Sequence, residues 1–545
     1  METEAPASQA MESDVSEAGW LSTSTWLLLL SAGLLGLMYD YWCHQFLSRY
    51  GIQSPTPLPI LGNMLWLMRH DFQTMSKDCR KKFGKVYGMY IGRRPLIMIS
   101  DVDRVQQICV KDFAIFTNRK PRGFESRPFD KSLLSLRDKH WKGVRSVISP
   151  TFSASKMKLM APIINKCLDP TIKIVAKLHG EGKNIQCKDL YGSLTLDTIG
   201  NCAFGMEVNC QDDPNNPFLE NSKKIFDFSF MNFAVVILLF FPGFTFILNK
   251  LNVSAYDYKA IDFFDKVVDE SVHLRHQSEA QETAENKRVD FLQLMLNVHK
   301  ETTTDEAAEE ATQEEKEEAK YRQSMSEKKL TMEEIKAQAM LFFLGGYETT
   351  STTLSMASYL LATNPDIQDK LIAEVDSMAP TRDDVTYDIV FKMAYLDMVV
   401  CETLRFYPPN MVTTRFCASK YTYKGITLPP LTEIAFDVLS IHHDPELWTE
   451  PDKFIPERFT KEERERRHPC AWLPFGFGPR NCVAMRFALL QVKIALIRML
   501  QNYRLETCAE TEIPPKLGKM GFITPPNGVI LSVVPRSHGE TTTSE

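Results

Sequence analysis

The sequence predicts a mainly helical protein with small β-sheets and a single transmembrane helix at its N-terminus. Long apolar segments with helical periodicity dominate the chain. Strand patterns are few and lie at residues 86–100, at residues 421–434 and near the C-terminus. Residues 20–39 form an apolar stretch of about the length that a helix needs to cross a bilayer.

The apolar stretch predicts both the anchor and its orientation. Residues 1–19 contain acidic residues but no Lys or Arg, whereas the first basic residue, Arg49, follows the stretch. Positive charge tends to stay on the cytosolic side, so residues 1–19 are expected in the lumen and the large body in the cytosol. A cleaved signal peptide is the alternative, but neither a basic leading region nor a small-residue cleavage site stands out.

Composition indicates a folded body and excludes several classes of protein. Of 545 residues, 44% are hydrophobic and 24% are charged, which argues against a disordered, collagen-like or disulfide-scaffold protein. The net charge of -6 gives no indication of a nucleic-acid partner. The 12 cysteines include no Cys-x-x-Cys pair, so a zinc ribbon or redox dithiol is not expected and reduced thiols fit best.

Segments of distinct composition divide the chain. Residues 40–60 are expected to form a proline-rich tether, residues 61–535 the main domain and residues 536–545 a polar tail. Residues 301–329 read as an acidic, flexible insertion in that domain. The apolar segment Phe233–Leu248 predicts either a membrane-dipping segment or a buried helix pair.

A long helix is predicted after the acidic insertion. Thr331 and Glu334 have the spacing of a capping box, and Asn364 with the following proline is expected to end the helix and cap the next one. Gly345 and Gly346 stand near its middle, where each glycine costs about 1 kcal/mol relative to alanine. We interpret these glycines as making space for a ligand.

A cysteine loop carries the most specific chemical signal. Gly476 and Gly478 permit a tight backbone, and Cys482 follows them at the start of an apolar helix. Backbone N–H groups and the helix dipole favour the anionic form of a sulfur at that place, so Cys482 is expected to be a thiolate. Arg480 is placed to pair with a carboxylate of a bound cofactor.

The loop resembles the haem-binding loop of the cytochromes P-450. The resemblance lies in Phe475, Gly478, Arg480 and Cys482, with Ala484 where the family pattern has glycine. It implies the cytochrome P-450 fold and haem b, held by Cys482 as the axial ligand of the iron and contacted by Phe475 and Gly476. From residue 55 onward the resemblance is greatest to the family-three drug- and steroid-oxidising enzymes and to thromboxane synthase.

The resemblance assigns further cofactor-binding and bracing residues. Those implied to bind the haem propionates are Arg480, Trp141, Arg145, Arg119 and Arg415. A buried triad that braces the cysteine loop is implied for Glu402, Arg405 and Arg458. The adjacent His442 and His443 could suggest a histidine-ligated haem instead, but as loop residues they are expected at the surface.

Oxygen activation is implied for the middle of the long helix. Residues 345–350 resemble the family motif in which an acid and an alcohol relay protons to dioxygen, so Glu348, Thr349 and Thr350 are the catalytic candidates. Thr349 is expected to hydrogen-bond the bound oxygen, and Glu348 to connect it with solvent.

Electrons must come from another protein because the chain shows no flavin or nicotinamide motif. The resemblance implies an NADPH-dependent flavoprotein reductase in the endoplasmic reticulum membrane, with a membrane cytochrome b-type protein as a further donor. The enzyme is then a single-pass protein whose catalytic domain faces the cytosol.

A lipophilic substrate is indicated by the pocket candidates, which are mostly apolar: Leu133, Leu134, Phe226–Phe246, Leu344 and Pro409–Thr413. A steroid, fatty acid or xenobiotic that partitions from membrane lipid fits them. Two alternatives stay open. One is a haem-thiolate isomerase of fatty-acid peroxides, against which the acid and alcohol of the long helix argue; the other is a non-catalytic haem- or lipid-binding membrane protein.

Overall fold

The structure is a computed structural model of the chain. It describes residues 22–119, 129–226, 257–278, 290–300, 330–518 and 523–536. The predicted lumenal segment, the acidic insertion at 301–329, the apolar segment Phe233–Leu248 and most of the polar tail lie outside these residues.

Helices make up most of the described chain, as the sequence predicts. The α-helices are α1 (Thr23–His44), α2 (Met64–Arg69), α3 (Phe72–Phe83), α4 (Val102–Gln106), α5 (Asp138–Ile148), α6 (Ala154–Gly180), α7 (Cys187–Phe204), α8 (Pro217–Phe226), α9 (Tyr258–Ser278), α10 (Phe291–Lys300), α11 (Met332–Thr363), α12 (Pro365–Met378), α13 (Tyr387–Lys392), α14 (Ala394–Phe406), α15 (Val438–His442), α16 (Lys461–Arg466) and α17 (Met485–Asn502). Single helical turns lie at Ser48–Tyr50, Gln107–Lys111, Phe129–Lys131, Ser149–Phe152, Arg382–Asp384, Pro456–Phe459 and Pro469–Ala471.

The strands form three small sheets. They are β1 (Val86–Ile91), β2 (Arg94–Ile99), β3 (Ile185–Gln186), β4 (Val412–Cys417), β5 (Tyr421–Tyr423), β6 (Ile426–Leu428), β7 (Thr432–Asp437), β8 (Tyr503–Glu506) and β9 (Ile530–Pro535). The strand orders are β1-β2-β7-β4, β3-β9-β8 and β5-β6, and all pairs are antiparallel except β2 with β7. The predicted strand regions are confirmed, whereas β3 and β4 were not predicted.

Helix α11 crosses the centre of the body. Its capping box is confirmed: Thr331 Oγ1 accepts from the Glu334 amide at 3.3 Å, and Glu334 Oε2 accepts from the Thr331 amide at 2.7 Å. Most of its 32 residues face buried surroundings, chiefly α7 and α17. Asn364 ends α11 and is the N-cap residue of α12, as predicted, with Pro365 in the first turn. Its side-chain amide donates back to the Leu360 carbonyl at 2.8 Å and makes no capping hydrogen bond to α12.

The two glycines of α11 serve different purposes. A Cβ atom on Gly346 would lie 2.5 Å from Cδ1 of Ile199 on α7, so this glycine lets the two helices approach closely. A Cβ atom on Gly345 would meet nothing within 4 Å, and the residue is exposed. The predicted space for a ligand therefore lies at Gly345.

The end of the anchor helix packs firmly on the body. Segment Thr23–Tyr50, with mean hydropathy 1.3, is long and apolar enough to span a membrane. The carboxylate of Asp40 accepts from Arg93 Nε at 2.8 Å and from the Ile60 amide at 3.0 Å. Leu47 is fully buried, so the first part of the segment predicted as a tether contacts the body.

The glycine pair gives a test of this helix packing. Gly346→Val should lower the free energy of unfolding by about 1 to 3 kcal/mol, because the added methyls overpack the contact with Ile199. Gly345→Ala is the control and should not lower stability, because its Cβ meets no protein atom within 4 Å and alanine favours a helix over glycine. Urea unfolding followed by circular dichroism measures both; equal losses would contradict the packing described here.

Candidate active site

The cysteine loop is a closed backbone turn. The Cys482 amide donates to the Phe475 carbonyl at 2.8 Å, and the Asn481 amide donates to the Gly478 carbonyl at 2.9 Å. Gly476 and Gly478 both have positive φ, at 75° and 71°, which only glycine adopts without strain. The loop therefore presents Cys482 from a fixed backbone just ahead of α17.

Gly478 also makes the closest backbone approach in the loop. A Cβ atom there would lie 2.2 Å from the carbonyl oxygen of Cys109, whereas the nearest atom to a Cβ on Gly476 would be 3.8 Å away. Cys109 lies in the helical turn Gln107–Lys111, far away in sequence. The sequence pattern points to both glycines but does not reveal this contact.

Cys482 is the only exposed cysteine among the twelve, all of which the structure describes and none of which is paired. Its sulfur lies in a recess: the side chain is accessible, yet surrounding protein removes enough solvent to raise the pKa of the thiol. The amide of Ala484 and the charges of Arg145 and Arg119 oppose that rise. The polypeptide alone thus does not fully stabilise the anion, and a bound metal ion would deprotonate the thiol.

Helix α5 contributes two of the predicted residues to this loop. Arg145 donates from Nη1 to the Asn481 carbonyl at 2.9 Å and from Nη2 to Asn481 Oδ1 at 2.7 Å, so it clamps the residue before Cys482. Trp141, one turn earlier, is buried beneath the guanidinium of Arg480, which lies 4.1 Å from the ring centroid. The predicted pairing of Trp141 and Arg145 on one helix face is present.

Arg480 makes contacts that the sequence did not predict. Its guanidinium donates to the carbonyls of Thr117, Leu133 and Leu136 at 2.9, 3.0 and 2.7 Å. It therefore fastens Thr117, Leu133 and Leu136 to the cysteine loop. Among the described residues, two of its five N–H groups have no acceptor, so they could donate to a carboxylate.

The arginine cluster is strongly cationic. It consists of Arg480, Arg119, Arg145 and Arg415. Burial, followed by repulsion from the other three guanidinium groups, lowers the pKa of Arg480 to about 8. Arg415 is fully buried, and its Nε–H has no hydrogen-bond partner within the described chain. Such a cluster is suited to a buried dianion.

The predicted triad is present and fully buried. Glu402 accepts from Arg405 Nε at 2.7 Å and Nη2 at 2.8 Å, and from Arg458 Nε at 3.3 Å. Arg405 also donates to backbone carbonyls of residues 442, 451 and 453. The triad thus holds the segment that leads from α15 towards the cysteine loop.

The prediction that His442 and His443 are surface residues is wrong. His442 ends α15, is fully buried, and burial lowers its pKa far below the ordinary value, so the ring is neutral. Its Nε2 accepts from the Leu473 amide at 2.8 Å, which leaves Nδ1 to donate to the Arg405 carbonyl at 3.1 Å. His442 therefore links the triad to the start of the cysteine loop, a role hidden because α15 itself was not predicted.

Thr349 lies one helical turn after Gly345, on the same face of α11. Its hydroxyl donates to the Gly345 carbonyl at 2.7 Å, and the residue is half-buried. Thr350, next to it, is buried. The open space at Gly345 and the alcohol of Thr349 are thus neighbours on the helix.

Glu348 is buried and held by residues that the sequence did not indicate. Its Oε2 forms an ion pair with Lys188 Nζ of α7 at 2.8 Å, and its Oε1 accepts from Thr524 Oγ1 at 2.7 Å. Loss of solvent lowers the pKa of Lys188, an effect that the charge of Glu348 opposes. Both carboxylate oxygens are therefore occupied, so the structure does not join Glu348 to Thr349 directly.

The predicted pocket residues differ in exposure. Leu133 and Leu344 are buried, whereas Leu134 is 48% exposed. Pro409 precedes β4 and is buried, and its carbonyl accepts from the Ile523 amide at 3.2 Å. Of the predicted segment Phe226–Phe246, only the first residue is described.

Comparison with known proteins agrees with this geometry. The family model described as "Cytochrome P450" matches residues 52–533. The chain belongs to the cytochrome P450 family. It is a haem-thiolate monooxygenase of the kind that uses dioxygen and NADPH-derived electrons. The family prediction and the predicted fold are confirmed.

Curated relatives cover nearly the whole chain. Cytochrome P450 3A29 of Sus scrofa is 39% identical over 518 residues, which are 94% of this chain and 97% of the relative. Cytochrome P450 3A13 of Mus musculus and cytochrome P450 3A5 of Homo sapiens are each 38% identical, over 517 and 515 residues, with the same 94% and 97% coverage. The similarity to these relatives thus extends over nearly the whole chain.

The two loop glycines should respond differently to alanine. Gly478→Ala cannot be accommodated, because its Cβ would overlap the Cys109 carbonyl; we expect most of the haem to be lost from the purified P450. In Gly476→Ala the added Cβ meets no protein atom closer than 3.8 Å and costs about 1 to 2 kcal/mol of backbone strain, so this variant should retain more haem than Gly478→Ala. Haem per polypeptide after purification measures both. Equal retention would contradict the close approach at Gly478.

Proposed function

We propose that this P450 inserts one oxygen atom of dioxygen into a lipophilic substrate, such as a steroid, a fatty acid or a xenobiotic, with Cys482 as the axial ligand of its haem iron. The observation that carries the proposal is the exposed sulfur of Cys482 beside the arginine cluster, and we place the open face of α11 at Gly345 opposite this sulfur. Together they provide a ligand, a counter-charge and space for a flat cofactor.

The residues of the recess fit haem. Two propionates would neutralise the cationic cluster of Arg480, Arg119, Arg145 and Arg415, and one could satisfy the buried Nε–H of Arg415. Trp141 would flank the same edge, while Phe475 and Gly476 would pack beside the ring in the loop that ends at Cys482. Bound haem supplies the iron centre at which dioxygen is activated, and the thiolate supports cleavage of the oxygen–oxygen bond.

Side chains of α11 would transfer protons to the site of oxygen activation. The Thr349 hydroxyl is held at the Gly345 carbonyl, from which a rotation of one side-chain bond would let it donate into the open space. Glu348 would deliver protons from solvent towards Thr349, and the buried Thr350 would support the helix turn that carries both residues. Thr349 and Glu348 are therefore our catalytic residues, and Glu402, Arg405 and Arg458 are the structural triad.

The proposed function also implies an electron donor, a membrane location and a route of substrate entry. The chain has no flavin or nicotinamide motif, so an NADPH-dependent flavoprotein reductase is its electron donor, with a membrane cytochrome b-type protein as a second one. We place the protein in the endoplasmic reticulum membrane as a single-pass protein with its catalytic domain in the cytosol. The first basic residue, Arg49, follows the apolar helix, and residues 1–19 before it contain no Lys or Arg. Substrate would enter from membrane lipid.

Isotope labelling tests this function directly. Full-length protein is reconstituted with lipid, NADPH and flavoprotein reductase under oxygen-18 gas, with testosterone and lauric acid as probes. We expect one labelled oxygen atom in the product of at least one probe. Product from a fatty-acid hydroperoxide without NADPH, and none from labelled gas, would instead indicate a peroxide isomerase; no product in either assay would indicate a non-catalytic binding protein.

Substitution of Thr349 tests the proton relay in that assay. Thr349→Ala should lower the rate of product formation by about a hundredfold, the lower end of what general acid–base catalysis contributes, and the electrons should appear as hydrogen peroxide. Thr363→Ala is the control, because this threonine ends α11 far from Thr349 and, like Thr349, donates to the carbonyl four residues earlier, that of Tyr359, at 2.9 Å. Equal product rates in both variants would contradict the role of Thr349.

A further inference from the structure

A closed ring of polar side chains surrounds the carboxylate of Glu348. Lys188 Nζ lies 2.8 Å from Glu348 Oε2 and 3.3 Å from Thr352 Oγ1. Thr352 Oγ1 lies 2.9 Å from Thr524 Oγ1, which lies 2.7 Å from Glu348 Oε1. The ring joins α7, α11 and the segment that precedes β9.

The direction of every hydrogen bond in the ring follows from its two charged members. Lys188 can only donate, and an ionised Glu348 can only accept. The Thr524 hydroxyl donates its only hydrogen to Glu348, so the Thr352 hydroxyl must donate to Thr524 and accept from Lys188. Each hydroxyl is used once as donor and once as acceptor, so the arrangement has one consistent orientation.

Thr524 also connects this ring with a segment predicted to line the pocket. The preceding residue, Ile523, is fully buried, and its amide donates to the carbonyl of Pro409 at 3.2 Å. Pro409 begins the segment Pro409–Thr413 that the sequence indicated as a pocket candidate. A continuous path therefore runs from Pro409 to Glu348: a hydrogen bond joins Pro409 to Ile523, Thr524 follows Ile523 in sequence, and a second hydrogen bond joins Thr524 to Glu348.

We propose that Thr524 is a positioning residue for Glu348, which ties the proton-delivering acid of α11 to the segment beside the substrate pocket. The inference rests on the proposed monooxygenase function. Lys188 holds one carboxylate oxygen of Glu348 as its ion-pair partner, and Thr524 holds the other oxygen. Without the Thr524 hydroxyl, Glu348 Oε1 and the Thr352 hydroxyl each lose a partner, and the acid is free to turn about Lys188.

Displacement of the Glu348 carboxylate would have a defined chemical consequence. In the coupled reaction, two electrons from NADPH and two protons reduce dioxygen, so that one oxygen atom enters the substrate C–H bond and the other leaves as water. If the second proton arrives at the wrong oxygen atom, the same two electrons and two protons leave as hydrogen peroxide. Loss of positioning should therefore appear as uncoupling, not as loss of substrate binding.

Hydrogen–deuterium exchange tests the connection independently of turnover. In the haem-loaded full-length protein, Thr524→Val removes the hydroxyl and keeps the branched shape, while Thr524→Ser restores the hydroxyl. We expect amides of residues 523–529 to exchange about tenfold faster in Thr524→Val and at the parent rate in Thr524→Ser and in the control Thr363→Val. Parent-like exchange in Thr524→Val would overturn the connection.

Coupling then tests whether Thr524 acts through Glu348. With testosterone as the probe, Thr524→Val should lower product per NADPH at least threefold, with unchanged spin-state titration by the probe and recovery in Thr524→Ser. In a Glu348→Gln background the same substitution should cause no further loss, because residues in one network are not additive. A further loss of equal size in that background would overturn the inference.

A second oxygen donor separates positioning from distortion of the pocket. Cumene hydroperoxide supplies the oxygen atom, the electrons and the proton itself and is converted to cumyl alcohol. Proton delivery through Glu348 is then not needed, so Thr524→Val should oxidise the probe at the parent rate with this reagent. An equal loss with hydroperoxide and with dioxygen would mean a deformed pocket and overturn the inference. If the parent itself makes no product from dioxygen and NADPH, the proposed function fails instead, and the exchange experiment still decides the connection of Thr524.

Discussion

The structure depends on a single constraint, the placement of one sulfur atom by the backbone hydrogen bond from Cys482 to Phe475. A loop closed by two glycines with positive φ has few alternative conformations, and the contact of Gly478 with the Cys109 carbonyl removes further ones. The sulfur is accessible, but the rest of the loop is packed. Precise placement therefore comes from backbone geometry, while the chemistry is left to a side chain that remains free to bind.

Buried charge holds the parts around this loop together. Arg405 donates to Glu402 and to three backbone carbonyls, and His442 carries the connection on to the loop through Leu473. A buried ion pair adds little net stability compared with apolar packing, but removal of one partner leaves an unpaired charge that costs about 3 to 5 kcal/mol. The network therefore provides geometric specificity. Arg480 likewise holds Thr117, Leu133 and Leu136 against the cysteine loop.

Features that depend on local sequence could be predicted, whereas contacts between distant segments could not. The capping box of α11, the strand pair β1–β2 and the i, i+4 placement of Trp141 and Arg145 follow from spacing alone. Lys188 and Thr524 lie 160 and 176 residues from Glu348, so no spacing rule could bring them to it. The two histidines after β7 were misjudged because a five-residue helix, α15, has no periodic signal. The long helix was right in type and length because its apolar run is long and capped.

The central claim is that a cysteine sulfur holds the haem iron, and the absorption spectrum of the reduced, carbon-monoxide-bound protein tests it most directly. We predict the red-shifted band of thiolate-ligated iron in the parent and its loss in Cys482→Ser, with His442→Ala and His443→Ala retaining the band wherever they retain haem. A band of the histidine-ligated type in the parent, or a red-shifted band that survives in Cys482→Ser, would contradict the account.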